Sequence, residues 1–390
     1  MNGFIGAGTF SSKAEQVGVF GDQTVIQGLY TVLNTGSQSG LYGYAASKIN
    51  AVYGSAEFSF SDNIYLTATA RNDWFSTLSA EGKTTPNNDL YGSASLAVIL
   101  SDLVELPEIF SFAKLRAGVS QVAGGASNPY GLNLTYSLIG QGHLGNPLGA
   151  INGGTIPNAF ITPYEKNETE IGFDVRLLDN RLSVDFAYYS NQTLRDIVNA
   201  TASNASSFNS TTINLGEITN KGVELLVNFK AINKEDLGLD FTLNYANNES
   251  LVVTTDENNG IIQAGVGALF QSNIGHMPGQ PFGVIYGSSY VRDTQGRIVH
   301  QMMNGIPVPK TEAVNKVLGL GVAPTQVGFG ANLRYKNFRL NAFLEGKFGG
   351  SIVSNTNASM KQYGLHKATV PAGGRAVSYT HLTLPTISSV

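Results

Sequence analysis

Strict two-residue alternation is the feature that most constrains this chain. Ile171, Phe173, Val175 and Leu177 fall on one face, and Glu170, Gly172, Asp174 and Arg176 on the other. After Asp179-Asn180 the chain returns with Leu182, Val184, Phe186 and Tyr188 opposite Ser183, Asp185 and Ala187. The pattern resumes as Val223, Leu225, Val227 and Phe229 against Glu224, Leu226, Asn228 and Lys230. It comes back as Leu239, Phe241, Leu243 and Tyr245 against Asp240, Thr242, Asn244 and Ala246. Successive side chains leave a strand on opposite faces, so this period means strand. A soluble sandwich turns its apolar face into a core. A membrane barrel turns it out to lipid and encloses water with the polar face.

Alternation alone does not separate the two, but the connections do. Short turns are expected at Ser61-Asp62-Asn63, Asp179-Asn180 and Lys336-Asn337, with a modest connection over 231–238. Long polar loops are expected over 74–88, 121–163, 191–214, 247–281 and 302–324. Short turns at one end and long loops at the other are the habit of an outer-membrane barrel. Residues 4–10 read as a short strand piece and 17–33 as a loop with local structure. Further strands are expected over 49–60, 64–71, 91–100, 114–120, 282–292, 327–335 and 338–347, with a small hairpin arm at 297–301. The count is about 11 strands, each near the roughly 9–11 residues that a tilted strand needs to cross a bilayer.

Composition bears on the same choice. Charged residues make up 13%, against about 25% in soluble proteins. The chain has 45 Gly, 17 Tyr and 20 Phe, which suits a lipid-facing wall with aromatic girdles. A net charge of −4 leaves no basic footprint for nucleic acid. With no Cys and five scattered His, neither a disulfide framework nor a metal-ligand spacing is present. No nucleophile stands beside a base, so no catalytic residue, cofactor site or metal site is assigned. Asp256-Glu257-Asn258-Asn259-Gly260 lacks the ligand order of a calcium loop and reads as a solvated loop tip.

Four blocks carry a family resemblance. The first runs through Tyr65-Leu66 to Arg71-Asn72-Asp73. The second is Pro163-Tyr164-Glu165-Lys166, then Glu170-Ile171-Gly172-Phe173-Asp174 and Tyr188-Tyr189. The third is Asn214-Leu215-Gly216-Glu217-Ile218-Thr219-Asn220-Lys221-Gly222-Val223-Glu224. The fourth is Gly279-Gln280-Pro281-Phe282-Gly283, with Gly305-Ile306-Pro307, Tyr335-Lys336-Asn337-Phe338 and Gly349-Gly350. In order and spacing these resemble the barrel of SusC/RagA-type TonB-linked outer-membrane transporters. The fold class implied is all-β, an antiparallel transmembrane β-barrel, incomplete here at about half of a roughly 22-stranded barrel. Residues 1–375 are expected to form this partial barrel, and 376–390 a non-native read-through tail.

The resemblance implies uptake of nutrients such as oligosaccharides or peptides across the cell outer membrane. It implies a SusD-like surface lipoprotein as partner, and a TonB complex acting through a plug domain absent from this stretch. Outer-membrane lipid and the glycan or peptide substrate complete the list. Two other readings stay open: a passive porin or surface adhesin barrel, and a secreted glycan-binding β-sandwich. On the barrel reading, Glu57, Arg71, Asp174, Arg176, Asp185, Glu224, Arg334 and Glu345 line the path. Trp74 and Tyr164, beside loops, read as girdle anchors in preference to sugar-stacking faces. In the third block, Gly216 and Gly222 read as backbone devices and Glu224 as one polar-face carboxylate among several. Left alone, an open half barrel keeps two unpaired strand edges, each orphaned group costing several kcal/mol in lipid, and is expected not to form a pore.

Overall fold

The computed structural model describes the chain except residues 140–143, 145–147, 152–153, 203, 207, 209, 256–258, 267–271, 313–314, 370–386 and 390. Eleven strands form one antiparallel wall, in chain order. They are β1 (Asn2–Thr24), β2 (Thr35–Phe60), β3 (Ile64–Phe75), β4 (Asn88–Ile99), β5 (Phe110–Gly124) and β6 (Tyr164–Leu177). The rest are β7 (Leu182–Thr201), β8 (Ser210–Asn233), β9 (Leu237–Thr254), β10 (Thr325–Tyr335) and β11 (Phe338–Phe348). This is up-and-down barrel topology. A two-residue strand, Thr155–Ile156, joins the wall in parallel beside β8. The sheet does not close: β1 and β11 are its edges.

The register explains the alternation. Phe60, Ile64, Val98, Leu115, Phe173, Phe186, Leu225, Tyr245 and Val327 face one another across nine strands as one apolar row. One residue away runs a second row: Ala97, Arg116, Gly172, Ala187, Glu224, Ala246, Gln326 and Lys347. A slip of one residue would exchange the two faces, so burial of either pins the register. Ile171 is 53% exposed, Val119 54% and Leu115 47%. A sandwich would bury such a face against a second sheet. Among the described residues no second sheet covers it, as expected of a face turned to lipid.

The short-turn end is knitted into a rim. Ser61 and Asp62, and again Asp179 and Asn180, hold left-handed backbone, with φ between 52° and 60°. Paired left-handed residues make the tight turn whose twist suits a hairpin. Asp179-Asn180 forms the centre of a four-residue connection, with Arg181 N donating to Leu178 O at 3.1 Å. Each turn also bonds the next: Ile99 N to Asn63 O, Leu178 N to Ile109 O, Lys230 N to Arg181 O and Lys336 N to Asp236 O, at 2.8–2.9 Å.

At the other end several expectations need correction. Residues 4–10 and 17–24 belong to one 23-residue strand paired along its length with the 26-residue β2; only 25–34 connect them. Much of the expected 191–214 loop is strand, since β7 runs to Thr201 and β8 starts at Ser210. Likewise β9 continues to Thr254. These strands have 18–26 residues, about twice what a bilayer crossing requires. They continue past the membrane, where neither face needs to be apolar. The expected strand at 282–292 shrinks to Val284–Gly287. It lies in a four-stranded sheet with Ile262–Val266, Ser272–His276 and Lys316–Leu320, carried by the 255–324 connection. Within that connection the expected arm at 297–301 is present: Arg292 pairs with Ile298, and Val299 N donates to Val291 O at 2.9 Å, while His300–Met303 goes on to pair with Ile306–Pro309. Most of the expected tail lies outside the described residues; Ile387–Ser389 pairs with Ser351–Val353.

Candidate functional site

Arg116 organises the polar face. It stands on β5, and its guanidinium crosses β6 to reach β7, pairing with Asp185 through two bonds of 2.8 and 3.1 Å. Its Nε also donates to Glu170 at 3.2 Å. The crossing is possible because Gly172 lies beneath it: a Cβ there would sit 3.0 Å from the guanidinium and 2.5 Å from Phe186 O. Tyr189 repeats the device, covering Gly222 on β8 and reaching Asn248 on β9, where its hydroxyl and the Asn Oδ1 are 3.1 Å apart. Both side chains tie three strands together.

Arg116, Asp185, Glu224, Asn244, Gln326 and Glu345 line a cavity of about 480 Å³. A neighbouring one of about 420 Å³ is lined by Lys114, Arg116, Glu168 and Glu170, among others. Three of the expected path residues, Asp185, Glu224 and Glu345, therefore meet. The others lie elsewhere on the polar face. Arg71 donates to Asp73 at 2.8 Å, and Tyr91 Oη donates to the other carboxylate oxygen at 2.6 Å. Asp73 is only 5% exposed, and Arg71 also lies 5.4 Å from the Tyr53 ring centroid. Arg176 lies over Phe112 at 5.0 Å. Asp174 faces Asp185 on one side and Lys114 on the other. Arg334 sits at the rim, donating to Lys234 O at 2.9 Å and to Glu235 O at 2.6 Å. Glu57 stands opposite Thr67.

Sequence reasoning missed Arg116, and it named Asp73 in the Arg71-Asn72-Asp73 block without placing it on the path. Leu115, Ala117 and Val119 mark the 114–120 strand by their alternation. The intervening Lys114, Arg116, Gly118 and Ser120 carried the missing signal.

The long-loop end holds a packed core. Phe75, Leu78, Leu132 and Ile161 are each at most 6% exposed, with Ile49, Ala80, Ala126 and Ile197 packed against them. Ile49 has the same strand parity as Ala51 and Tyr53, and Phe75 that of Arg71 and Asp73, so this core lies on the polar side of the wall. Lys83 Nζ joins two loops by donating to Leu78 O and Ile161 O. Burial pushes the Lys83 amine below its ordinary pKa. Asn214 clamps a third segment, accepting from Thr162 N at 2.6 Å and donating to Thr162 O at 2.8 Å. Gly216 adopts φ 82°, and Gln192 donates to Glu217 at 2.6 Å. The residues of this block serve the backbone and the clamp. Trp74, 39% exposed, has the opposite parity to Asp73, and the Tyr164 ring covers Gly124.

With this geometry in place, comparison with known proteins is informative. Residues 4–380 match the family described as TonB dependent receptor-like, beta-barrel. TonB-dependent receptor P3 of Formosa agariphila is 24% identical over 338 residues, covering 80% of this chain and 33% of that protein. TonB-dependent receptor P26 of the same organism is 24% identical over 332 residues, covering 79% and 32%. The chain thus spans about a third of the length of these curated relatives. The RagAB peptide transporter superposes with a TM-score of 0.79 at 13% identity, over 100% of this chain and 44% of that one. The RagAB peptide importer in its open-open state gives 0.75 at 14% identity, over 100% and 43%. At such identity the likeness concerns the fold, and it agrees with an incomplete barrel of SusC/RagA type. The family match, together with an exposed apolar belt and long loops at one end, locates the chain in the outer membrane. The chain belongs to the TonB-dependent receptor-like β-barrel family.

Proposed function

We propose that this chain forms part of the barrel wall and loop cap of a transporter that imports nutrients such as oligosaccharides or peptides, driven by TonB. One observation carries the reading: the polar face bears charge-lined cavities and is overhung, on the same side, by a packed core built from loops. A passive pore needs a wet lumen, but no such cap over it. A cap that holds a ligand before passage suits a gated importer. The reading brings its partners with it: a SusD-like surface lipoprotein over the loop end, and a plug domain in the lumen that contacts the TonB complex. RagAB, whose fold this chain shares, is described as a peptide importer with open-open and closed-closed states, which supports the scheme.

The test is uptake. Cells carrying the full-length protein are given fluorescent oligosaccharide and peptide mixtures, with and without TonB, and with and without an uncoupler. Accumulation that stops when TonB or the proton gradient is removed supports the proposal. Accumulation indifferent to both overturns it in favour of a passive porin, and surface binding without accumulation in favour of an adhesin.

A further inference from the structure

A cavity at the loop end differs from those on the wall. It has a volume of about 520 Å³ and lies between residues 126–135 and the loop ends of β7 and β8. Small-molecule sites typically span about 300–1,000 Å³. Asn128, Asn133, Asn199, Thr155, Thr212 and Tyr130 contribute its polar and aromatic lining, and among the described residues that line it none is Asp, Glu, Lys, Arg or His. Each wall cavity, by contrast, includes charge: Arg116, Asp185, Glu224 and Glu345 in one, Lys114, Arg116, Glu168 and Glu170 in another, and Glu168 among Ser, Thr, Asn and Gln in the third.

The cavity is built on a firm base. Ala126, Leu132 and Ile197 line it and also belong to, or pack against, the loop core. One wall is the ladder pair Asn199 and Thr212, where Thr212 Oγ1 donates to Asn199 Oδ1 at 2.8 Å. That bond leaves the Asn199 amide donor for a ligand. Among the described residues the side chains of Asn128 and Asn133 have no hydrogen-bond partner either. Tyr130 adopts φ 62°, backbone that a bulky residue rarely holds, and its side chain is half exposed. Such strain gathers at ligand clamps.

We propose that this cavity is a subsite for an uncharged sugar unit of the incoming ligand. Side-chain amides and hydroxyls match ring hydroxyls, which both donate and accept. An aromatic ring suits the apolar C–H face of a pyranose. A uronate, a sulfated sugar or a charged peptide side chain would enter without a counter-charge, and burying an unpaired charge is costly. The subsite therefore selects against anionic glycans and peptides at the cap, above the charged stretch of the polar face. The inference rests on the import reading and names the substrate class of the same path.

The test uses the purified full-length transporter in detergent, titrated with maltohexaose, cellohexaose, laminarihexaose, xylohexaose, hexagalacturonate and hexaalanine. The expected result is that a neutral hexasaccharide binds most tightly. Tyr130→Gly removes the ring while suiting the left-handed backbone, and should weaken that binding about tenfold. Asn133→Asp, which adds a charge at an exposed position, should weaken it at least as much. Folding of each variant is checked by the heat-dependent gel shift of a closed barrel. Tightest binding of hexagalacturonate or hexaalanine, binding of no neutral hexasaccharide, or an unchanged affinity in both folded variants overturns the proposal. TonB-dependent uptake is read separately, so the subsite can fail while the import reading stands.

Discussion

The two ends of the wall are held by different forces. At the short-turn end, backbone bonds run from turn to turn and arginine side chains cap turn carbonyls: Arg334 on the 234–236 turn, and Arg181 on Lys230 O and Ala231 O. At the long-loop end, stability comes from a small apolar core, the Lys83 staple and the Asn214 clamp. Between them the strands share one ladder. The first kind of order is periodic, with one backbone link from each turn to the next. The second follows no period and gathers single residues up to about 150 positions apart.

The largest expected effect lies in the wall. A Cβ at Gly222 would sit 2.4 Å from Asn247 O and 2.5 Å from Tyr189 Oη, and Gly172 is equally constrained by Phe186 O. Gly172→Val or Gly222→Val should cost about 3 kcal/mol or more and abolish the heat-shifted folded band. A normal band would break the claim that these side chains lie across glycines. Next comes the cap. Ile161 is fully buried, and Ile161→Ala should cost about 2–5 kcal/mol of local stability. Limited proteolysis should then cut the loops while the heat-shifted band persists. Loss of the band as well would show that the two ends are not independent.

A smaller effect is expected at Arg116. Its side chain is 28% exposed and that of Asp185 41%, so solvent screens the pair. A double-mutant cycle of Arg116→Ala and Asp185→Ala, read from urea midpoints, should give a coupling of about 1 kcal/mol. The smallest effect is a pH dependence in the cap. His276 stacks on Phe282 at 4.2 Å, and burial lowers its pKa, against an opposing pull from Asp196. The unfolded segment then takes up a proton before the folded one as pH falls. Stability of the four-stranded cap sheet is full above about pH 6.5 and declines as pH drops from there toward the lowered folded value. Hydrogen exchange in Ser272–His276 should quicken over that window, and His276→Phe should remove the dependence.

Much of the wall was legible in the sequence because lipid enforces it. Wherever a strand crosses the hydrocarbon, one face must be apolar, as Ile171 to Leu177 and Leu239 to Tyr245 show. Past the membrane that requirement lapses, and the signal fades although the ladder continues. Residues 192–201 of β7 and 17–24 of β1 carry polar groups on both faces, so they read as loops. The tight turns at 61–63 and 336–337 were readable from their Asp and Asn residues. The cap core was not. Leu78, Leu132 and Ile161 lie singly among polar loop residues, and only the fold brings them together. Arg116 was hidden for another reason: its partners are chosen by Gly172, whose meaning depends on what passes over it.

The account depends on which face meets lipid. This stretch contains no Cys, and with any cysteine elsewhere in the full-length protein replaced, single spin labels at Leu243→Cys and Asn244→Cys on β9 probe adjacent residues. Power saturation in the full-length protein, reconstituted in liposomes, compares access to oxygen with access to a water-soluble nickel chelate. The account predicts that the label at 243 is open to oxygen and closed to nickel, and that the label at 244 shows the reverse. Equal shielding of position 243 from both reagents would mean that its face is buried against protein, and would contradict the barrel.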